Sequence, residues 1–275
     1  MKVLFLGTAS AEGYPATFCN CENCRRARAK GGRNLRARSS VLINNDLLID
    51  FSPEVASKSI ELGVELWRVK ALLITHSHED HFYQDELRLR TWPFAIEPPK
   101  RLTIIGSKYV IKIIRRKYKG RMRELRMNTK AVDPFESVKI SGYEIIPLPA
   151  NHGCEPKEQP LIYIVRQGSK SILYACDTGP LPDSVLNFLG GLRLDAVIVE
   201  ATLGILSSKI FQYHMGFEDV IELKRWMEKA EIISEETPFI ITHFSHVTCP
   251  LHEEMEDVLK PYGITPAYDG FTIEI

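Results

Sequence analysis

A dense group of potential metal ligands follows the apolar segment LLIT, which begins at Leu72. Within six residues stand three of the chain's eight histidines and one aspartate, namely His76, His78, His81 and Asp80. Imidazole nitrogen and carboxylate oxygen are common ligands of divalent metals. A solvated, histidine-rich loop is the alternative interpretation. The position directly after an apolar strand favours a metal site, because a loop at a strand end can bring several side chains to one point.

Three further candidate ligands also follow apolar segments. They are His152 in ANHGC, Asp177 in CDTG and His243 in THFSH. Sheets of α/β proteins place their sites at such strand ends. We therefore expect two metals at one sheet edge. Three histidines would bind the first metal, Asp80 and two histidines would bind the second, and Asp177 would lie between them.

A second cluster contains only thiols, Cys19, Cys21 and Cys24 in the segment FCNCENC. The first residues, MKVLFLGTASAEG, favour a β-strand over a secretory signal, so we expect a cytoplasmic protein. In a reducing compartment clustered cysteines are more often metal ligands than disulfides. Zinc needs four ligands, so three thiolates leave one position open. A disulfide and free thiols remain alternatives here. Cys154, Cys176 and Cys249 are interpreted as packing residues.

Strand-like and helix-like segments alternate along the whole chain, which predicts one α/β domain over residues 1–275. Asn44, Asn45 and Asp46 predict a turn between two antiparallel strands. A helix is expected over 52–63, with Ser52 as its N-cap. Further helices are predicted at 83–92, 109–119, 181–191, 217–230 and 252–263, and His252 is expected to be solvated at the start of the last one.

Composition excludes some classes of protein. Hydrophobic residues make up 44% and charged residues 25%, the formal net charge is zero, and no apolar run reaches membrane-spanning length. One local exception is the segment 108–130, with ten Lys or Arg residues against one Glu. It could follow an RNA backbone, although a solvated helix face is an equal alternative.

The run from His76 to His81 resembles the HxHxDH signature of the metallo-β-lactamase superfamily, and His152, Asp177 and His243 follow in the expected order. The resemblance implies a four-layer αβ/βα sandwich with a dinuclear site. It also implies the ligand sets: His76, His78 and His152 for one metal, Asp80, His81 and His243 for the other, with Asp177 bridging and Asp50 supporting the ligands.

Within the superfamily, the chain looks most similar to the PhnP-type phosphodiesterases that accompany the carbon–phosphorus lyase pathway. The segment THSHEDHFYQDELRLRTW, the motif YHMG and the Cys-x-Cys-x-x-Cys cluster carry this resemblance. It implies that His246 completes a structural zinc site with the three thiols. It also implies that His214 acts as the acid.

The resemblance implies a metal-dependent hydrolase for a small cyclic phosphodiester, such as a ribosyl cyclic phosphate. Asp80 and His214 are its expected catalytic residues, with two Zn or Mn ions at the site and one structural Zn. The first alternative is an endoribonuclease of the tRNase Z kind, although Val199 in VEATL replaces a histidine of that family. A thiolester hydrolase of the glyoxalase II kind and a non-catalytic metal-binding protein are further alternatives. A homodimer is left open, and no membrane partner is expected.

Overall fold

Two seven-stranded β-sheets form the centre of the molecule in a computed structural model that describes residues 1–275. The first sheet has the order β14-β1-β2-β3-β4-β5-β6. Its strands are β1 (Lys2–Gly7), β2 (Ser40–Ile43), β3 (Leu47–Ile49), β4 (Ala71–Leu73), β5 (Leu102–Gly106), β6 (Met127–Ala131) and β14 (Thr272–Glu274). The pairs from β14 to β3 are antiparallel and those from β3 to β6 are parallel, so the sheet is mixed.

The second sheet is also mixed and has the order β13-β12-β11-β10-β9-β8-β7. Its strands are β7 (Val138–Ile140), β8 (Tyr143–Pro149), β9 (Leu161–Gln167), β10 (Lys170–Ala175), β11 (Ala196–Glu200), β12 (Phe239–Thr242) and β13 (Ile264–Pro266). Strands β10 to β13 are parallel, whereas β7 to β10 pair antiparallel. Strands β8, β10 and β12 therefore end at the same edge of this sheet.

Six α-helices cover the outer faces: α1 (Glu22–Lys30), α2 (Val55–Glu61), α3 (Lys108–Lys117), α4 (Asp183–Leu189), α5 (Phe217–Lys229) and α6 (His252–Leu259). Short 3-10 helices occur at Gly32–Asn34, Leu66–Arg68, Gln84–Arg90 and Lys260–Tyr262. In α3, the Ser107 side chain accepts a hydrogen bond from the Val110 N–H at 3.2 Å. Such an N-cap satisfies an otherwise free N–H of the first turn.

Three apolar clusters separate the four layers. One lies between the sheets and contains residues of both, such as Phe5 and Ile172. Another packs the outer face of the first sheet against α3, and the third packs the second sheet against α4, α5 and α6. The predicted four-layer αβ/βα sandwich is therefore confirmed.

Local predictions were correct in part. The turn at Asn44 and Asn45 is present, and both residues have positive φ angles, 48° and 68°. The helix expected from Ser52 begins only at Val55, because the Ser52 hydroxyl donates to the Arg38 carbonyl instead of capping a helix. The segment 83–92 forms a 3-10 helix rather than an α-helix. Helix α1, which carries Cys24, was not predicted.

His252 was predicted to be solvated, and this prediction is wrong. Its side chain is fully buried, and the Nδ1 atom lies 3.0 Å from the Arg36 guanidinium. Cys176 and Cys249 are buried as expected, while Cys154 is half-buried. None of the helices combines the length and apolar character that a bilayer span requires.

Candidate metal centre

The candidate ligands stand just beyond the carboxyl ends of four strands. His76 follows β4, His152 follows β8, Asp177 follows β10 and His243 follows β12. The apolar strands are buried between layers and fix the starting point of each loop. The facing edges of the two sheets therefore direct side chains from both halves of the chain into one place.

The first group of candidate ligands is His76, His78, His152 and Asp177. His78 Nδ1 lies 2.8 Å from His76 Nε2 and 3.3 Å from His152 Nε2. Asp177 Oδ2 lies 3.2 Å from His76 Nε2 and 3.4 Å from His152 Nε2. Ligand atoms about 2.0–2.1 Å from one tetrahedral metal are roughly 3.3 Å apart, so this donor set fits a divalent ion.

The second group is Asp80, His81, Asp177 and His243. His81 Nε2 lies 3.2 Å from Asp80 Oδ2, 3.3 Å from Asp177 Oδ2 and 3.2 Å from His243 Nε2. His243 Nε2 is 3.8 Å from both carboxylate oxygens. The same oxygen of Asp177 thus belongs to both groups, which is the arrangement that a bridging ligand requires.

Hydrogen bonds to Nδ1, on the side of the ring away from the metal position, orient two of the imidazole rings. His81 Nδ1 lies 2.7 Å from Asp50 Oδ2, and His243 Nδ1 lies 2.8 Å from the Thr202 hydroxyl. Asp50 also accepts hydrogen bonds from the N–H and hydroxyl of Thr75, at 2.8 and 2.9 Å. Such partners fix the ring orientation and leave Nε2 facing the metal position. The contacts of Asp50 fit the supporting role predicted for it.

Three residues of this region have left-handed backbone conformations. The φ angles are 61° for Asp50, 57° for Asp177 and 64° for His243. Asp50 and His243 directly follow a strand, and Asp177 lies two residues beyond the end of β10. For a residue other than glycine, this conformation costs on the order of 1–3 kcal/mol and persists only where surrounding structure imposes it. The turn points each side chain back toward the centre rather than along its strand.

Burial and neighbouring charges shift the pKa values of three of these groups. Burial, together with His81, lowers the pKa of His76 to about 3, so its imidazole is neutral. Burial alone would raise the pKa of Asp177, but His243 and the other histidines hold it well below its usual range. Burial would lower the pKa of His81, yet Asp80 and Asp50 raise it. A divalent cation would supply the positive charge that these carboxylates attract.

His214 lies beside the two groups, in the loop between β11 and α5. Its Nδ1 atom is 2.9 Å from Glu200 Oε1 and 3.1 Å from Asp177 Oδ1. Burial alone would lower the pKa of His214, but the two carboxylates raise it to about 10. The ring therefore holds a proton next to the candidate metal centre.

Glu200 is a residue of the site that the sequence reasoning did not assign. Its side chain is fully buried and accepts hydrogen bonds from the N–H groups of Thr178 at 2.8 Å and Thr202 at 3.0 Å. It therefore connects the loops after β10 and β11 and supports His214. Glu200 ends the apolar segment DAVIVE. The other candidate ligands were identified because they follow apolar segments, and the same criterion could have identified Glu200.

The three thiols meet His246 in a separate group. One ligand atom from each of Cys19, Cys21, Cys24 and His246 lies within 4.8 Å of the others, and Cys21 Sγ is 3.4 Å from His246 Nδ1. No cysteine forms a disulfide. A hydrogen bond from the Cys24 backbone N–H is the main cause that lowers the pKa of Cys21 to about 6. Three thiolates and one imidazole are a typical zinc donor set.

These features agree with the comparison with known proteins. The model of the family described as Beta-lactamase superfamily domain matches residues 45–243, and the chain belongs to this superfamily. The family, the fold and the two groups of candidate histidine and aspartate ligands define the class, a metal-dependent hydrolase of the metallo-β-lactamase fold. The resemblance inferred from His76 to His81 is confirmed.

Individual relatives are distant. An octanoyltransferase of Porphyromonas gingivalis is 25% identical over 284 residues, which cover 98% of this chain and 51% of that protein, so the chain spans about half its length. The crystal structure of a new diphosphatase from the PhnP family aligns with this chain at a TM-score of 0.75 and 23% sequence identity. The alignment covers 100% of this chain and 96% of that protein's chain. The crystal structure of human tRNase Z, short form, aligns at a TM-score of 0.66 and 18% sequence identity. That alignment covers 100% of this chain and 99% of the tRNase Z chain. At these identities the structures show a shared fold.

Proposed function

We propose that the chain is a dinuclear phosphodiesterase that acts on a small, cyclic phosphodiester such as a ribosyl cyclic phosphate. The observation that carries this proposal is the position of Asp177. One of its oxygens belongs to both ligand groups, and the other lies 3.1 Å from Nδ1 of His214. A pair of metals and a proton donor would therefore act on the same bound phosphate.

His76, His78 and His152 would hold one metal, Asp80, His81 and His243 the other, and Asp177 would bridge them. Two divalent metals, Zn or Mn, lower the pKa of water and stabilise charge on phosphoryl oxygens. Asp80 lines the cavity above this site, and we assign to it the orientation of the attacking water.

His214 is the proposed acid. Its Nδ1 atom is occupied by Glu200 and Asp177, while the ring lines the cavity, so Nε2 is available to the substrate. An alkoxide is a poor leaving group, and a proton delivered to its oxygen assists cleavage of the P–O bond. The two carboxylates stabilise the protonated ring from behind.

We propose a structural zinc on Cys19, Cys21, Cys24 and His246. His246 follows His243 by three residues, so this zinc would fasten the amino-terminal loop to one wall of the site. We also treat residues 1–275 as one hydrolase domain. The pairing of β1 with β14 supports this, because strands from opposite ends of the chain complete the first sheet.

An endoribonuclease remains the second candidate, through the basic segment 108–130. Several of its cations are paired, including Lys108 with Asp133 and Arg121 with Glu124. Lys112 and Arg116 on α3 and Lys119 just after it are exposed and form no salt bridge, so a free basic surface exists there. A thiolester hydrolase of the glyoxalase II kind would use the same metal ligands and is a third candidate.

The test is a substrate panel on metal-loaded protein. It compares a ribosyl 2,3-cyclic phosphate, bis(4-nitrophenyl) phosphate, a structured RNA and an acyl thioester, with Zn or Mn added to stripped protein. We expect metal-dependent hydrolysis of the two small diesters. Turnover of the RNA or the thioester without turnover of either small diester would contradict the proposal.

A further inference from the structure

The cavity above the candidate metal centre has a volume of about 300 Å³ and two walls of different chemistry. One wall comes from the loop after β1 and from Ser245, and it includes Glu12. The other comes from the loop before α5, with Phe211 and Tyr213. No lysine or arginine lines the cavity. Apart from the two metals and the protonated His214, all assigned to the reacting phosphate, the lining therefore offers no positive side chain to a second phosphate group.

The aromatic wall is a preformed corner. The Phe211 ring lies nearly parallel to the His214 imidazole, with 9° between their planes and 5.7 Å between ring centroids. Tyr213 stands at 84° to Phe211, with centroids 6.2 Å apart. The Tyr213 ring packs on Gly153, where an added Cβ would lie 3.4 Å from it. Because Phe211 is 53% exposed, a flat apolar group can contact it.

Exposed apolar residues adjoin the lining residues in sequence, since Ile210 precedes Phe211 and Val247 follows Ser245 by two residues. Ile205, Ile210 and Val247 are 70–72% exposed. The Ile205 N–H donates to the Thr248 carbonyl at 3.3 Å, which places Ile205 beside Val247. Contiguous exposed apolar surface is typical of binding sites, whereas single exposed apolar residues are ordinary.

The opposite wall holds a fixed carboxylate. Glu12 accepts hydrogen bonds from the hydroxyls of Ser10, at 2.8 Å, and Ser245, at 2.5 Å. The closest basic atom is Nε2 of His246, at 3.8 Å. Two serine hydroxyls hold Glu12 in place without neutralising it. An anionic group that enters the cavity beside the reacting phosphate would therefore meet a negative charge.

We propose that the part of the substrate that does not react is uncharged and apolar, with a ring or similar flat group against Phe211, and that Glu12 excludes substrates with a second phosphate. This proposal rests on the phosphodiesterase function proposed above. It narrows the substrate class to monoanionic cyclic diesters that carry an apolar substituent outside the phosphate ring. It also disfavours an RNA chain, because adjacent phosphates would face Glu12 and the aromatic corner.

The test uses three ribofuranoside 2,3-cyclic phosphates that share the reacting ring and the leaving oxygen. They are the methyl glycoside, the benzyl glycoside and the methyl glycoside 5-phosphate. We expect kcat/KM to be roughly tenfold higher for the benzyl than for the methyl compound, as for one stacked ring. In Phe211→Ala this ratio should fall to about one. Any effect of the substitution on His214 changes both rates and cancels in the ratio.

Phe94→Ala is the matched control, because Phe94 is 59% exposed and lies outside the cavity lining. It should keep the benzyl preference. A preference that is absent in the native protein, or that survives in Phe211→Ala, would overturn the role of the aromatic corner.

Glu12→Gln tests the opposite wall, since the amide keeps the shape and removes the charge. Relative to the methyl compound, hydrolysis of the 5-phosphate should be slow in the native protein and should rise roughly fivefold or more in the variant. Zinc content should not change, which separates exclusion of charge from damage at His246. Preferential hydrolysis of the 5-phosphate by the native protein would refute the proposal.

Hydrolysis of none of the three compounds would show that the phosphodiesterase function itself is wrong. Equilibrium binding would then decide the present proposal. Metal-loaded protein should bind benzyl phosphate more tightly than methyl phosphate in calorimetry, and Phe211→Ala should remove this difference. Equal affinities of the native protein for benzyl phosphate and methyl phosphate would overturn the proposal.

Discussion

Replacement of His214 by alanine provides the sharpest test of the mechanism, because the effect should depend on the leaving group. An acid matters in proportion to how much the departing oxygen needs a proton. A nitrophenolate leaves well without help, whereas a ribosyl alkoxide does not. We expect the variant to hydrolyse an alkyl or ribosyl diester roughly 10²–10⁴-fold more slowly, which is the usual range for general acid catalysis. The loss on an aryl diester should be less than about tenfold.

We expect this substitution to leave the proposed metal centre in place. His214 contacts Oδ1 of Asp177, whereas the other histidines converge on Oδ2. Glu200 loses one partner but keeps the N–H groups of Thr178 and Thr202. Steady-state kinetics on the two diesters and metal analysis of the same preparation form the assay. Equal losses on both substrates would mean that His214 positions the substrate, and loss of metal would mean that it is itself a ligand.

Four further outcomes are expected. Asp177→Asn, which tolerates the left-handed backbone but lacks the charge, should lose catalytic metal and activity together; full activity would remove its bridging role. Cys21→Ser should lose about one zinc and melt at a lower temperature, whereas Cys154→Ser, outside the thiol group, should do neither. If the segment 108–130 binds RNA, cleavage of RNA should weaken steeply with salt while a small diester responds little. Burial, assisted by Arg36, lowers the pKa of His252 to about 4 in the folded protein. The neutral ring therefore stabilises the fold at a pH above the unfolded pKa of about 6.5, and this stabilisation is lost as the pH falls from about 6.5 toward 4. Between pH 7.5 and 5 the native protein should therefore lose more stability in denaturant than His252→Gln, and equal losses would refute this account.

Much of the candidate site could be predicted because each candidate ligand lies in a loop that follows an apolar strand. That rule needs only the local sequence, and the layered fold brings the strand ends to one edge. His76 to His81 and the later His152, Asp177 and His243 were found in this way, and the structure places them together.

Other features depend on contacts between distant segments and left no local signal. His252 looks like a polar residue at a helix start, but Arg36, from a segment more than two hundred residues earlier, buries and pairs it. Ser52 has the residue type of an N-cap, yet its hydroxyl is taken by the Arg38 carbonyl. The two cavity walls, one with Glu12 and the other with Phe211, likewise require the folded loops. Sequence spacing cannot show which side chains meet across the cavity.

The left-handed conformations of Asp50, Asp177 and His243 have a consequence for how such a chain can change in evolution. Nine residues other than glycine have positive φ angles, and three of them lie at this site. Glycine would relieve the backbone strain at each of the three, at the cost of a ligand or of its support. Activity and stability are therefore in conflict at the same positions. A lineage released from selection for turnover would relieve this strain by acquiring glycine at Asp177 or His243, whereas glycine at Asp50 would leave the buried Thr75 N–H without its acceptor. The backbone therefore favours loss of the candidate site at two positions and opposes it at the third.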